Sequence, residues 1–289
     1  MRVLSVTAQK PCSTGSGVYL TEVVRSLAKM GVSQAVVAGV TREDRVDMPE
    51  GVTVYPVYFS SEKLPYPVVG MSDEMPYTST RYRDMTEEMA GQFKAAFLEV
   101  LDEVIEKENP DIMAWLRFDN FDDVHISYPV LYSGDDSKYL RSDIYGNYHI
   151  AGCIFLEGLN NPDFSDYHSI IYGHNMRNTT MFGDLKRYKN DEGFYEKNQF
   201  FNVYTADKVY RYQIFSYYDV DEDSDIYTVG YGADDSWQAM IDKMVASSMK
   251  DTGIHPTKED KVVTLSTCSK AGETKRFVVH GVLVDVKTH

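Results

Sequence analysis

The sequence has no long apolar run, few cysteines and a deficit of positive charge. No stretch reaches the ~18 apolar residues of a membrane-crossing helix, and the apolar run from Val3 to Ala8 is too short for a secretory signal. We therefore expect neither a membrane span nor a signal peptide. The net charge is −15, and no basic stretch offsets it. Because such a surface repels phosphate backbones, we expect no nucleic-acid partner.

The cysteines and acidic residues do not form a pattern typical of a bound metal. Cys12, Cys153 and Cys268 cannot all pair, so at least one thiol is free, and their spacing fits no metal site. Cys153 lies in an apolar run and is predicted to be a small buried core residue. The acidic run from Asp219 to Asp225 lacks the glycine and the glutamate that an EF-hand loop requires, so we interpret it as a solvated turn.

The first 108 residues alternate predicted strands with predicted helices. Short apolar runs indicate strands, and helix-spaced apolar residues indicate helices. The predicted strands are Arg2–Ala8, Gln34–Val40 and Val52–Phe59, and the predicted helices are Val18–Lys29 and Met85–Lys107. This β-α-β order predicts a partial α/β, Rossmann-like segment over residues 1–108, ending in a long helix.

From residue 109 onward the sequence becomes rich in aromatic, strand-forming segments. The chain has 22 Tyr and 13 Phe, most of them after residue 110. The predicted strands are Trp115–Phe118, Ile126–Leu131, Gly152–Leu156, His168–Tyr172, Phe200–Thr205, Lys208–Tyr218, Lys261–Ser266 and Phe277–Val286. About eight short strands predict an antiparallel barrel or sandwich over residues 109–289, interrupted by a helix at Ser236–Met249. The fold class is therefore α+β overall.

Three residues could cooperate in acyl transfer. Cys268 ends a predicted strand, Arg276 opens the next one, and His174 lies far upstream. A thiol reacts as thiolate, which a neighbouring imidazolium stabilises, and the imidazolium can later protonate a leaving amine. The arginine suits a developing oxyanion. Glu273, the nearest carboxylate in sequence, is expected to face solvent, and these residue types alone occur together in most proteins.

The segments around these residues resemble the three signature segments of sortases. They are Thr264–Cys268, Tyr172–Met176 and Arg276–Val284. The surrounding sequence is similar to the class B branch, which also carries a helix before the catalytic strand; the similar segments are Asn109–Leu116, Ser127–Val130, Lys138–Leu140 and Asn147–Gly152. The resemblance covers about 180 residues and implies a sortase-type eight-stranded β-barrel with an inserted helix.

The resemblance also implies a reaction, its partners and its place. A cysteine transpeptidase of this type cleaves the C-terminal sorting signal of a surface protein through a thioester on Cys268. An amine of peptidoglycan or of a pilin then accepts the acyl group. Leu140, Ser266, Thr267, Ile226 and Tyr227 would line the substrate groove. No cofactor is implied, and the family acts at the cell surface, on the outer face of the membrane.

The N-terminal part resembles another family. The segments Met1–Thr7 and Thr14–Gly31 are similar to the start of a GT-B, family 4 glycosyltransferase, and the likeness ends near Ile112. The rest of that fold and its second domain are missing, so we do not expect glycosyl transfer. Two alternatives to an active transpeptidase stay open: a non-catalytic or poorly folded chimera of the two families, and a nucleotide- or sugar-binding module at residues 1–108 that regulates the barrel.

Overall fold

The chain divides into two units, Met1–Lys107 and Glu108–His289, in a computed structural model that describes residues 2–72, 74–268 and 274–288. The elements of the first unit are β1 (Arg2–Thr7), α1 (Gly15–Lys29), β2 (Ser33–Val40), β3 (Val52–Tyr58), β4 (Val69–Gly70), β5 (Thr80–Arg81) and α2 (Glu87–Glu108), with a 3-10 turn at Tyr82–Asp84. Strands β1, β2 and β3 form a parallel sheet in that order, and β4 pairs with β5.

Strand β2 is covered on both faces because its side chains alternate in direction. Val36 packs with Val24 of α1, whereas Val37 belongs to a cluster that includes Phe97 and Val104 of α2. Helix α1 begins where the Thr14 hydroxyl accepts a hydrogen bond from the backbone N–H of Gly17. The unit is thus an α/β segment, and its Rossmann-like assignment stays a prediction.

The second unit contains eight longer strands and three α-helices within its described residues. Its elements are β6 (Ile112–Phe118), β7 (Ser127–Leu131), β8 (Ile154–Leu156), β9 (His168–Tyr172), α3 (Arg187–Asn190), α4 (Phe194–Lys197), β10 (Phe200–Tyr204), β11 (Lys208–Asp221), α5 (Asp235–Ser247), β12 (Val262–Cys268) and β13 (Lys275–Thr288), with 3-10 turns at Gly183–Lys186 and Asp225–Tyr227. All eight strands form a closed barrel in the order β10-β11-β13-β12-β9-β8-β7-β6. The predicted eight-stranded barrel is therefore confirmed.

The pairing is mixed, which differs from the antiparallel expectation. Strands β7 and β8 pair in parallel, and so do β9 and β12, while the other neighbours are antiparallel. Parallel pairs need long crossover connections. Residues 132–153 provide one between β7 and β8, and the elements from α3 to α5 lie between β9 and β12. Sequence patterns identify strands but not the direction in which distant strands pair.

Helix α5 is the inserted helix that the apolar spacing predicts. Asp234 caps its first turn by accepting hydrogen bonds from the backbone N–H groups of Ser236 and Trp237. Its buried face packs Trp237 and Met240 against barrel residues such as Phe215. The acidic run that follows Tyr218 is only partly a turn, because Asp219–Asp221 still belong to β11 and pair with β13.

Candidate active site

The parallel pairing of β9 with β12 brings two distant motifs to one edge of the barrel. Tyr172 is the register partner of Ser266, and the backbone N–H of Gly173 donates to the Ser266 carbonyl at 3.1 Å. His174 and Cys268 lie two residues beyond that last pair, each on its own chain segment. Adjacent strands are about 4.8 Å apart. The two segments that carry the predicted nucleophile and the predicted imidazole therefore run side by side at this edge.

The antiparallel pairing of β12 with β13 adds the predicted arginine. Cys268 is the last residue of β12, and its register partner across the ladder is Arg276. Directly opposed residues of an antiparallel pair have Cα atoms about 5 Å apart. The backbone thus gathers the three residues that the sequence predicts as catalytic. Glu273, the carboxylate considered from sequence, lies outside the described residues.

A cleft of about 390 Å3 opens beside this edge. Its size is in the range of small-ligand pockets. The predicted residues that line it are Leu140, His174, Tyr227, Ser266, Thr267 and Arg276. Ile226 does not line it: the side chain is 1% exposed and packs with Trp237 in the core beneath α5. The apolar residue of the Ile226-Tyr227 pair thus faces the core, and the aromatic one faces the cleft.

His174 is held through one ring nitrogen. Its Nε2 lies 2.7 Å from the backbone carbonyl oxygen of Leu140. A carbonyl only accepts, so Nε2 carries the hydrogen and Nδ1 is the basic nitrogen of the neutral ring. Burial lowers the pKa of His174; the Leu140 carbonyl opposes this, and the charges of Arg141 and Arg276 lower the pKa further. The neutral imidazole is therefore favoured more than in a free histidine.

Arg276 is held by a carboxylate that the sequence did not suggest. Its Nη2 donates to Glu222 Oε2 at 2.5 Å, and its Nη1 donates to the carbonyl of Lys275 at 3.3 Å. Glu222 follows the last residue of β11, and its backbone N–H donates to the carbonyl of Thr274 at 2.9 Å. The carboxylate therefore fixes one edge of the guanidinium at the rim of the cleft.

Two tyrosines form the aromatic wall of the cleft. The rings of Tyr172 and Tyr227 are nearly parallel, with centroids 6.3 Å apart. The Tyr172 hydroxyl donates to Glu157 Oε2 at 2.7 Å, and the Tyr227 hydroxyl lies 3.0 Å from the Ser266 hydroxyl. Burial raises the pKa of Glu157, Tyr172 lowers it, and the neighbouring Asp136 raises it again. These bonds hold both rings in place, so the wall is formed before any ligand binds.

The hydroxyl of Thr267 is a buried cleft group with unused bonding capacity. Its Oγ1 is buried and has no hydrogen-bond partner among the residues that the structure describes. A buried hydroxyl without a partner costs about 1–3 kcal/mol. A ligand in the cleft that offers an amide group to Thr267 would remove this cost.

The sequence missed five residues that line the cleft: Asp136, Phe155, Tyr172, Gly173 and Glu222. Two of them, Tyr172 and Gly173, lie inside the motif that contains His174, so the motif itself was the available signal. Glu222 lies inside the acidic run interpreted as solvated. Only the pairing of β11 with β13 shows that this residue reaches Arg276.

The described part of the chain, residues 2–72, 74–268 and 274–288, contains neither a metal-binding cluster nor a membrane-spanning helix. No group of three or more His, Cys, Asp or Glu residues within it is arranged to hold a metal ion. No helix within it is long and apolar enough to cross a membrane.

Known proteins are similar to this chain over more than half of its length. A family model described as Sortase domain matches residues 120–284. Sortase B of Listeria monocytogenes is 32% identical over 190 residues, which are 64% of this chain and 76% of that protein. Sortase B of Staphylococcus aureus is 29% identical over 186 residues, covering 64% of this chain and 75% of that protein.

Solved structures show the same similarity. The Staphylococcus aureus sortase B–substrate complex aligns with a TM-score of 0.58 and 29% identity, over 63% of this chain and 84% of the other. Clostridium perfringens sortase B aligns with a TM-score of 0.59 and 26% identity, over 64% of this chain and 100% of the other. Since the family model matches more than half of the chain and the curated relatives are all sortase B, this chain belongs to the sortase family, in its class B branch.

Proposed function

We propose that residues 109–289 form the catalytic unit of a cell-wall sorting transpeptidase, with Cys268 as nucleophile, His174 as proton carrier and Arg276 as oxyanion partner. The protein is a sortase-type enzyme by family. One observation carries the assignment of roles: the β9, β12 and β13 registers bring these three residues to one edge of the barrel, beside the cleft.

In the first step the Cys268 thiol gives its proton to His174 Nδ1, and the resulting thiolate attacks the carbonyl carbon of the scissile peptide bond in a sorting signal. The oxygen becomes an oxyanion, which the guanidinium of Arg276 stabilises. The C–N bond then breaks, and the leaving amine takes a proton from His174 Nδ1, because Nε2–H is engaged with Leu140. A lowered pKa makes the imidazolium a stronger proton donor. The products are a thioester and a free amine.

In the second step an amine attacks the thioester carbon. The amine loses a proton to His174, a new amide bond forms, and the thiolate of Cys268 leaves. Proton and charge are therefore balanced over the two steps. We infer that the amine belongs to peptidoglycan or to a pilin and that the enzyme acts on the outer face of the membrane, as the family resemblance implies.

The cleft favours an extended peptide. Leu140 provides an exposed apolar contact, Tyr172 and Tyr227 an aromatic wall, and Thr267 a buried hydroxyl that lacks a partner among the described residues. The Staphylococcus aureus structure of similar fold is a substrate complex, which supports substrate binding by a barrel of this fold. The likeness of residues 1–112 to a glycosyltransferase stays a prediction.

The proposal predicts that the second unit suffices for cleavage. The full chain and residues 109–289 are incubated with a peptide library built on Thr–Gly and Thr–Asn bonds, the bond types that the sortase resemblance implies, and cleavage is read by mass spectrometry. We expect both forms to cleave the same motif. A control comes from Cys153, where burial raises the pKa of the thiol to about 12: Cys153→Ala should keep activity, whereas Cys268→Ala should lose it.

Two outcomes would contradict the proposal. Cleavage by Cys268→Ala would assign the chemistry to another residue. Absence of cleavage by both the full chain and the short form, with folding verified by circular dichroism, would favour the non-catalytic chimera instead.

A further inference from the structure

The segment Tyr139–Cys153, here called the support loop, holds the imidazole of His174. Its Leu140 carbonyl is the acceptor for Nε2–H at 2.7 Å, and the side chain of Leu140 lines the cleft. One residue therefore contacts the ligand space with its side chain and orients the predicted proton carrier with its backbone. Whatever fixes the Leu140 carbonyl also fixes the imidazole.

The support loop is anchored at Tyr139, the residue that precedes this carbonyl. The hydroxyl of Tyr139, a residue only 2% exposed, donates to Asp111 Oδ2 at 2.7 Å and accepts from Asn109 Nδ2 at 2.9 Å. At the other end of the loop, the backbone N–H of Cys153 donates to the Tyr139 carbonyl at 2.9 Å. The two ends of the loop thus cross next to Leu140.

Gly152 lies at this crossing, and there is no room for a side chain. Its φ is +53°, a left-handed conformation that favours glycine. A Cβ there would lie 2.5 Å from the carbonyl oxygen of Tyr139 and 2.6 Å from that of Leu140. Both obstacles are backbone carbonyl oxygens, so the clash can be relieved only when the backbone moves, either at the carbonyls of Tyr139 and Leu140 or at residue 152.

We propose that Gly152 is a positioning residue for His174: its missing side chain lets the Leu140 carbonyl stay on Nε2–H, and this bond keeps Nδ1 as the nitrogen that exchanges the proton. The inference rests on the proposed function of His174. It adds a residue that touches neither substrate nor imidazole, and it links two sequence segments, Lys138–Leu140 and Asn147–Gly152, that otherwise have no common role.

Gly152→Ala tests this, with Gly146→Ala as its matched control. Gly146 lies in the same loop at a φ of +80°, yet a Cβ there meets nothing within 4 Å. Both variants place a side chain at a positive φ, and only the Cβ of Gly152→Ala would clash with the Leu140 carbonyl. The full chain is labelled with 15N-histidine, and the His174 signals are assigned by their loss in His174→Gln. The ring-nitrogen shifts then report the tautomer without any substrate.

We expect wild type and Gly146→Ala to show His174 protonated at Nε2, and Gly152→Ala to show a mixture of tautomers. In the peptide assay, Gly152→Ala should lower kcat about 100-fold, the loss typical of a misplaced catalytic group. If Gly152→Ala does not fold, Tyr139→Phe replaces it, because loss of the hydroxyl anchor loosens the same carbonyl. An unchanged tautomer in the folded variant would overturn the inference, as would an equal change in Gly146→Ala. A wild type that cleaves no peptide would overturn the proposed function and leave the tautomer result standing.

Discussion

Replacing Arg276 with alanine is expected to lower kcat for sorting-signal cleavage by about 100- to 1,000-fold, the loss found when one oxyanion donor is removed. The residue pairs in register with Cys268, lines the cleft and is oriented by Glu222. Because the charge is needed most when the oxyanion forms, kcat should fall more than KM rises.

Lysine at this position should not restore the rate. A guanidinium offers a planar fork that can contact Glu222 on one edge and an oxyanion on another, whereas an ammonium is a point charge on a flexible stem. We therefore expect Arg276→Lys to recover only a small part of kcat. Full recovery would show that charge alone suffices and would contradict the geometric role.

Lys275→Ala is the matched control for both variants. Lys275 is the neighbouring residue on β13, and its Nζ forms an exposed ion pair with Asp221 at 2.6 Å. Such pairs contribute little to stability. This variant should keep wild-type kinetics. A comparable loss in Lys275→Ala would indicate that disturbing the start of β13, rather than losing the guanidinium, reduces the activity.

Lowering the pH from 7 to 5 is expected to reduce the free energy of unfolding of the barrel by at least about 2 kcal/mol, through the buried histidines beside the catalytic strand. His168 and His280 are both 0% exposed. The Nδ1–H of His168 donates to the Thr228 carbonyl at 2.9 Å, and its Nε2 lies 2.7 Å from the Thr264 hydroxyl, which lies 2.8 Å from His280 Nδ1.

This chain of bonds requires a neutral His168 ring. The Thr264 hydroxyl has one hydrogen, which it donates to His168 Nε2, and it accepts from His280 Nδ1–H. A proton added to His168 Nε2 would disrupt that arrangement. Burial lowers the pKa of His168 to about 4 and lowers that of His280 well below its usual value.

The sign follows from proton counting. Between the unfolded pKa near 6.5 and the folded pKa of about 4, the unfolded chain binds a proton at His168 that the folded chain does not. The contribution of neutral His168 to the free energy of unfolding is therefore present above pH 6.5 and is lost as the pH falls from 6.5 towards 4. The loss from pH 6.5 to 5 is about 2 kcal/mol for His168, and His280 acts in the same direction.

Urea unfolding at several pH values, followed by tryptophan fluorescence, measures this effect. Both tryptophans, Trp115 and Trp237, lie in the second unit, so the signal reports the barrel. His168→Gln should flatten the pH dependence, whereas His255→Gln, at an exposed position, should leave it unchanged. An unaltered slope in His168→Gln would show that this histidine does not cause the acid sensitivity.

The sequence identified what depends on local pattern. Each of the eight predicted barrel strands exists, with ends shifted by a few residues, and the helix predicted at Ser236–Met249 is Asp235–Ser247. Period-two apolar residues and turn chemistry are local properties. The signature segments located Cys268, His174 and Arg276 because each motif is a short continuous run.

Contacts between distant segments could not be predicted from local sequence patterns. The parallel register of β9 and β12 brings His174 and Cys268 to the same edge of the barrel, and a local sequence pattern does not specify the direction in which distant strands pair. Glu222 looked solvated because its partner is 54 residues away in sequence. The resemblance places both Ile226 and Tyr227 in the groove. The two residues are neighbours in a 3-10 turn and point in different directions, so the side chain of Ile226 is buried in the core.

The central claim is that Cys268 carries the acyl group, and intact-protein mass spectrometry during turnover tests it most directly. A cleaved sorting-signal peptide should add its acyl mass to the wild-type chain, the adduct should map to Cys268, and hydroxylamine should remove it. Cys12→Ser and Cys153→Ala should form the same adduct. An adduct on Cys12 or Cys153, or cleavage by Cys268→Ala, would contradict the account.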